Sequence, residues 1–154
     1  MPATTDSSNT VRYRERLWPT FGWWFVAAFL SAMTAAIVFP VWSWGAIVVP
    51  IVVFALVAVW LRSASAVIIV SDTEFIAGPA HIERSFIAEA QPCDKAQSFA
   101  ERGPLLDALA FLMLRPWEPL LVKVIIDDPD DPTPYWLVSS KDPQALAAAL
   151  NAQR

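Results

Sequence analysis

Residues 17–61 carry no charged side chain, and this stretch constrains the fold more than any other feature of the chain. A helix needs about 20 apolar residues to cross the hydrocarbon core of a bilayer, so the stretch has room for two. Pro40, Trp42, Trp44 and Gly45 interrupt it near its middle with residues typical of turns and membrane interfaces. We therefore predict a transmembrane helical hairpin at residues 17–61, with spans at about 18–39 and 42–61.

The flanking charges predict the orientation of this hairpin. Arg12, Arg14 and Arg16 precede the first span, Arg62 follows the second, and the loop between the spans has no Lys or Arg. Because basic residues accumulate on the cytoplasmic side of membrane segments, both termini are expected in the cytoplasm. The sequence thus predicts a multi-pass protein of the cell (inner) membrane.

A cleaved signal peptide is the alternative interpretation of the first span, since small residues follow a basic start. The apolar run continues through Val38 and Phe39, beyond the 7–15 residues of a signal's hydrophobic region, which favours a span. Transport is disfavoured, because two spans without an ionisable residue offer no path for an ion or polar substrate.

Small residues recur at every fourth position of the first span, at Ala28, Ala32 and Ala36, with Ala27, Ser31 and Ala35 beside them. This spacing allows helices to approach closely in lipid. The second span of the same chain is the expected partner for this face, and a second copy of the chain, giving a homo-oligomer, is the alternative.

Outside the hairpin, residues 1–16 are expected to be a disordered, basic, cytoplasmic segment, and residues 62–154 a cytoplasmic α+β domain. Short β-branched and aromatic runs after Arg62 predict several antiparallel strands. Asp142 and Pro143 have the chemistry of a helix start, and Leu146 and Leu150 would place the apolar face of that helix against an open end of the sheet.

The charge of this domain limits its partners. From Ser63 onward there are 13 Asp and Glu against 7 Lys and Arg, a net charge of −6. An acidic domain is disfavoured as a partner of nucleic acid and gains nothing overall from anionic headgroups. Cys93 is the sole cysteine, which excludes a disulfide within the chain.

Four aspartates in the segment 127–134 are the most conspicuous candidates for chemistry: Asp127, Asp128, Asp130 and Asp131. Their carboxylates could serve a hard cation such as Ca²⁺ or Mg²⁺. Three prolines stiffen the segment, however, and it lacks the glycine and distal Glu of an EF-hand loop. A turn between two strands is the favoured interpretation, and no cofactor is expected.

No catalytic residues are predicted. His81 lies two residues before Glu83 in a strand-like segment without a nucleophile, so it is interpreted as a solvent-facing histidine. Cys93 lies between Pro92 and Asp94, neither of which is a cation that could activate its thiol. Four residues are candidates for an interaction surface: Arg115, Trp117, Tyr135 and Trp136.

Two stretches resemble the bacterial pleckstrin-homology-like (PH-like) domains that follow pairs of membrane helices: SDTEF at residues 71–75 and SSKDP at 139–143. The resemblance implies a small bent antiparallel sheet or barrel capped by a C-terminal helix. Nearly the whole chain also resembles an uncharacterised actinobacterial family of small two-span membrane proteins, through RYRERL at residues 12–17, RPW at 115–117 and DDPDDPTPYWLVS at 127–139. That family supplies no activity.

Three functions remain open from the sequence. The first is a non-enzymatic, membrane-anchored module that binds a membrane or envelope protein. The second is a domain that binds a lipid or amphiphile, with Trp117 and Trp136 near the mouth of its pocket. The third is a metal-dependent enzyme that uses the acidic loop.

Overall fold

The computed structural model describes residues 10–152, which form two compact units. One unit is Trp18–Ser65. The other combines the residues before Trp18 with those after Ser65, so it is assembled from two pieces of chain that flank the first unit.

The first unit is a pair of helices, α1 (Phe21–Val38) and α2 (Gly45–Ser63). Both are long and apolar enough to cross a membrane, and both lie within the predicted spans or two residues beyond them. Ala27 and Ser31 are the buried residues of α1, whereas Ala28, Ala32 and Ala36 are exposed. The expectation that the second span covers this small-residue face agrees with the burial of Ala27 and Ser31 and is wrong for Ala28, Ala32 and Ala36, because α2 packs against the neighbouring stripe.

Gly45 opens α2 at a point of close approach. A Cβ at this position would lie 2.9 Å from Val38 Cγ1 and closer still to the indole of Trp42. The lack of a side chain lets Trp42 pack over the start of the helix.

The second unit contains two four-stranded sheets. The first sheet has the order β1 (Tyr13–Leu17), β2 (Ala66–Val70), β3 (Glu74–Ala77), β4 (Ala80–Glu83), with all neighbours antiparallel. Gly78, with φ of +62°, begins the two-residue turn between β3 and β4, a conformation that favours glycine.

The second sheet is mixed. It contains β5 (Ile87–Cys93), β6 (Phe111–Met113), β7 (Leu121–Ile126) and β8 (Tyr135–Ser139) in the order β5-β7-β8-β6, and β6 runs parallel to β8. A 3₁₀ turn (Arg84–Phe86) joins the sheets, α3 (Lys95–Glu101) follows β5, and α4 (Pro143–Asn151) closes the chain. The fold is thus α+β as predicted, but with two sheets instead of one bent sheet.

Strand β1 corrects the expectation of a disordered segment at residues 1–16. Tyr13, Glu15 and Leu17 turn inward while Arg14 and Arg16 are exposed, which is the alternation of a half-buried strand. In the sequence, the three arginines of this segment indicate a solvated basic stretch, and Glu15 in the inward set weakens the apolar alternation of a strand. The first nine residues of the predicted disordered segment lie outside the described part of the chain.

The core lies between the two sheets and α4. Phe75 of the first sheet, Met113 and Val124 of the second, and Leu146 and Leu150 of α4 belong to one buried cluster. Asp142 accepts a hydrogen bond from the Ala145 backbone N–H at 3.0 Å, and Pro143 begins the helix. The prediction of an apolar C-terminal helix that packs on the sheet is confirmed.

Candidate functional site

The aromatic residues predicted as an interaction surface lie in the interior. Trp117, Tyr135 and Trp136 are only 6–7% exposed, and Arg115 is half-buried. The ring of Trp136 packs 4.7 Å from that of Phe111, centroid to centroid. The prediction is wrong for the three aromatic residues. Tyr135 and Trp136 belong to β8, an interior strand that is buried on both faces, and Trp117 is buried in the segment after β6.

Tyr135 faces the layer that covers the second sheet, which is formed by α3 and the segment after it. Its hydroxyl accepts from the Asp107 backbone N–H at 2.7 Å and donates to the Leu105 carbonyl at 3.4 Å. The Lys123 ammonium lies 4.2 Å from the centre of its ring and pairs with Glu101 at 2.9 Å. These contacts fasten α3 and the segment after it to the sheet.

The acidic segment 127–134 joins β7 to β8, as the turn interpretation predicts. Asp128 Oδ1 accepts from the Asp130 N–H and Asp131 Oδ1 from the Thr133 N–H, both at 2.9 Å, which are local Asx turns. The hydrogen bonds from Thr133 lower the pKa of Asp131. Within residues 10–152 no group of three or more His, Cys, Asp or Glu side chains could hold a metal ion.

The two other candidates for chemistry, His81 and Cys93, lie on strands of different sheets. His81 is exposed on β4 beside the exposed Glu83, in agreement with the solvent-facing interpretation. Cys93 is buried at the end of β5, and this burial raises the pKa of its thiol, which lowers the fraction of reactive thiolate.

A polar cleft of about 420 Å³ lies beside the 3₁₀ turn, with Asp72, Arg84 and Asn151 among its lining residues. Arg84 donates to the carbonyls of Ala149 at 2.9 Å and Leu150 at 2.7 Å, and to the Ser71 carbonyl at 3.0 Å. It therefore caps the C-terminal end of α4, where a cation also complements the helix dipole. Because these three hydrogen bonds all go to backbone carbonyls of the same unit, Arg84 has a structural role in the cleft.

Glu15 anchors β1 to the far end of the chain. Its carboxylate accepts from the Tyr13 hydroxyl at 3.0 Å, the Ser140 hydroxyl at 2.8 Å and the Lys141 backbone N–H at 2.6 Å. Burial, with the charge and hydrogen bond of Glu15, raises the pKa of Tyr13 to about 12. The site joins β1 to the connection between β8 and α4.

The segment 99–112 carries exposed apolar side chains that the sequence did not single out. Phe99 is 71% exposed, Leu105 63%, Leu109 61% and Leu112 42%. Apart from Val11, these are the exposed large apolar side chains of the α+β unit among the described residues. From the sequence, this apolar run predicts either a strand or a buried helix. Its exposure could not be predicted, because it depends on how the segment packs against strands that are distant in sequence.

Comparison with protein families finds a match over residues 12–150 to a family model described as a protein of unknown function (DUF3093). No curated protein and no solved structure matches the chain. The matched range includes both units and all three motifs on which the family resemblance rests.

Proposed function

Since the chain belongs to the DUF3093 family, whose function is not established, we propose from its own residues that it is a non-enzymatic, membrane-anchored interaction module. Helices α1 and α2 span the cell membrane with both termini in the cytoplasm, and the α+β unit binds another membrane or envelope protein at the cytoplasmic face.

The pairing of β1 with β2 carries the topological part of the proposal. β1 precedes α1 and β2 follows α2, yet the two are antiparallel neighbours from Tyr13↔Val70 to Leu17↔Ala66. Strands of one sheet must lie on the same side of a bilayer, because open sheet edges do not occur in its hydrocarbon core. A hairpin that crosses twice meets this requirement, and the arginines that flank it favour the cytoplasmic side.

Reporter fusions test this topology in the full chain. A reporter that is active only in the cytoplasm should be active after Arg154 and inactive when inserted at Ser43, between the helices. Activity at Ser43 with none after Arg154 would reverse the orientation. Activity at both sites would mean that the hairpin does not cross.

The exposed apolar segment 99–112 supports a protein partner. Burial of apolar surface drives most protein association, and exposed apolar patches mark contact sites more often than single scattered residues do. The amphiphile-binding alternative needs an open apolar interior. Large side chains such as Phe75, Met113 and Leu146 instead fill the space between the sheets.

Site-specific photo-cross-linking in intact cells tests the partner. A photoreactive side chain at Leu109 should give a discrete adduct, and the same group at Gln144, exposed on α4, should not. Leu105→Asp in the Leu109 background should remove the adduct. Equal adducts at Leu109 and Gln144 would contradict a specific contact through residues 99–112. An adduct of twice the chain mass would identify a second copy as the partner.

A further inference from the structure

The topology of the α+β unit brings two basic residues, Arg115 and Lys141, to the same end of the unit. Because β6 and β8 run parallel, the C-terminal ends of both strands lie at the same end of the sheet. Arg115 follows β6 there, and Lys141 follows β8. The Arg115 backbone N–H donates to the Ser139 hydroxyl at 2.9 Å. Lys141 Nζ donates to the backbone carbonyl of Arg16, near the end of β1, at 3.0 Å.

This is also the end at which the chain enters and leaves the helical hairpin. Leu17, the last residue of β1, pairs with Ala66, the first residue of β2. A Cβ built on Gly78 would lie 3.7 Å from the Cβ of Ala66 and 3.9 Å from Arg115 Nη2. The guanidinium of Arg115 therefore lies beside the paired ends of the two strands that continue into α1 and from α2.

Arg115 has donors that the fold leaves available. Its Nη1 donates to the carbonyl of its neighbour Leu114 at 3.0 Å, and its buried Nε has no hydrogen-bond partner within the described residues. No ion pair with Arg115 occurs within residues 10–152. Partial burial lowers the pKa of this guanidinium.

Two acidic groups near this end, Glu15 and Asp142, already accept hydrogen bonds within the unit. Glu15 already accepts three hydrogen bonds, and Asp142 caps α4. Glu118 is buried, with a pKa that burial raises and that nearby Lys141 lowers. An added anion would thus meet an arginine with free donors.

We propose that Arg115, together with Lys141, binds the phosphate of an anionic phospholipid headgroup. Arginine suits this ligand because its planar fork matches phosphate oxygens. Residues 18–20 and 64–65 are the whole connection to α1 and α2, so headgroups at the membrane surface are within reach of this end. The proposal rests on the membrane insertion proposed above. It also shows how the unit can favour anionic lipid locally, although its residues from Ser63 onward carry a net charge of −6.

Native mass spectrometry of the full chain, released from detergent with equal amounts of phosphatidylglycerol and phosphatidylcholine, measures the preference. The wild type should retain more phosphatidylglycerol, and Arg115→Gln should reduce the ratio of the two lipids about tenfold, the effect of losing a charge-assisted hydrogen bond. Arg12→Gln is the matched control, because Arg12 lies beyond the other end of β1 and pairs with Asp72. Its ratio should equal that of the wild type.

Three further measurements separate the possible failures. Flotation with phosphatidylcholine liposomes tests insertion by itself; a chain that floats without preferring phosphatidylglycerol overturns the headgroup site alone. Arg115→Lys, which keeps the charge, should retain part of the preference even if Arg115→Gln unfolds. Excess inorganic phosphate should leave the bound phosphatidylglycerol in place. Its displacement by phosphate, or a wild type with no lipid preference, would overturn the proposal.

Discussion

At the scale of single residues, Glu15 joins the first strand to residues near the other end of the chain. It lies among three arginines, so its sequence context indicates a solvated basic segment. The structure instead buries Glu15 and gives its carboxylate three donors, two of them from Ser140 and Lys141 at the other end of the chain. The alternation of Tyr13, Glu15 and Leu17 was the available signal, but it becomes decisive only when β2 is present to pair with it.

Replacing Glu15 with alanine should destabilise the α+β unit by at least about 2 kcal/mol, because hydrogen bonds to a charged group are strong and their buried donors would be left unpaired. Thermal unfolding of the full chain in detergent, followed by near-ultraviolet circular dichroism, would measure the loss. Glu83→Ala is the control: this side chain is exposed, and its removal should change stability by no more than about 0.5 kcal/mol. Equal effects of the two substitutions would contradict an anchoring role for Glu15.

Glu118 should make the stability of the unit depend on pH. Burial raises the pKa of its carboxyl above the usual 4.5, so the folded state holds this proton more tightly than the unfolded state. The corresponding stability is present below about pH 4.5 and is lost as pH rises through the folded-state pKa. Glu118→Gln should therefore raise the melting temperature at pH 7 relative to the wild type and change it less at pH 4. A difference that is independent of pH would show that Glu118 does not titrate in this way.

At the scale of elements, the sequence predicted those whose signals are local. Asp142, Pro143, Leu146 and Leu150 define α4 without reference to the rest of the chain, and the strands β7 and β8 were recognised from their own composition. The sequence did not predict β6 as a strand. Its parallel pairing with β8 joins residues that are distant in sequence, and a three-residue apolar segment has no period by which to distinguish it.

The double substitution Leu146→Ala with Leu150→Ala should unfold the α+β unit. Leu146 is fully buried and Leu150 nearly so, and each buried leucine contributes about 2–5 kcal/mol of the roughly 5–15 kcal/mol that holds a domain folded. Limited proteolysis of membranes that contain the full chain should cut this unit rapidly and leave α1 and α2 inserted. Gln144→Ala, on the exposed face of α4, should remain protease-resistant. Unchanged resistance of the double variant would mean that α4 is not required for the fold.

At the scale of the whole molecule, two properties depend on contacts between residues that are distant in sequence. They are the distribution of basic residues and the boundaries of the α+β unit. Net charge predicted indifference to anionic lipid, yet the parallel pair of β6 and β8 places Arg115 and Lys141 at one end. The chain also appeared divisible at Arg62, with a self-contained domain after it. Composition changes at that point and therefore predicts a boundary there, but composition carries no information about which strand pairs with β2.

The contribution of β1 predicts that residues 66–154 will not fold alone. Without it the core lacks Leu17, which is fully buried, β2 is left as an open edge, and the Glu15 anchor is lost. Leu17 and Ala66 are directly paired, so a two-residue Asn-Gly turn, suited to joining antiparallel strands, can replace Trp18–Ser65. A protein of residues 10–17, Asn-Gly and 66–154 should be soluble, show cooperative thermal unfolding and resist protease, whereas residues 66–154 should be degraded.

The same joined protein with Leu17→Asp should behave like residues 66–154, because it keeps the chain length but places a charge in the core. If residues 66–154 unfolded as cooperatively as the joined protein, β1 would be an accessory strand and the case for an even number of membrane crossings would lose its structural support.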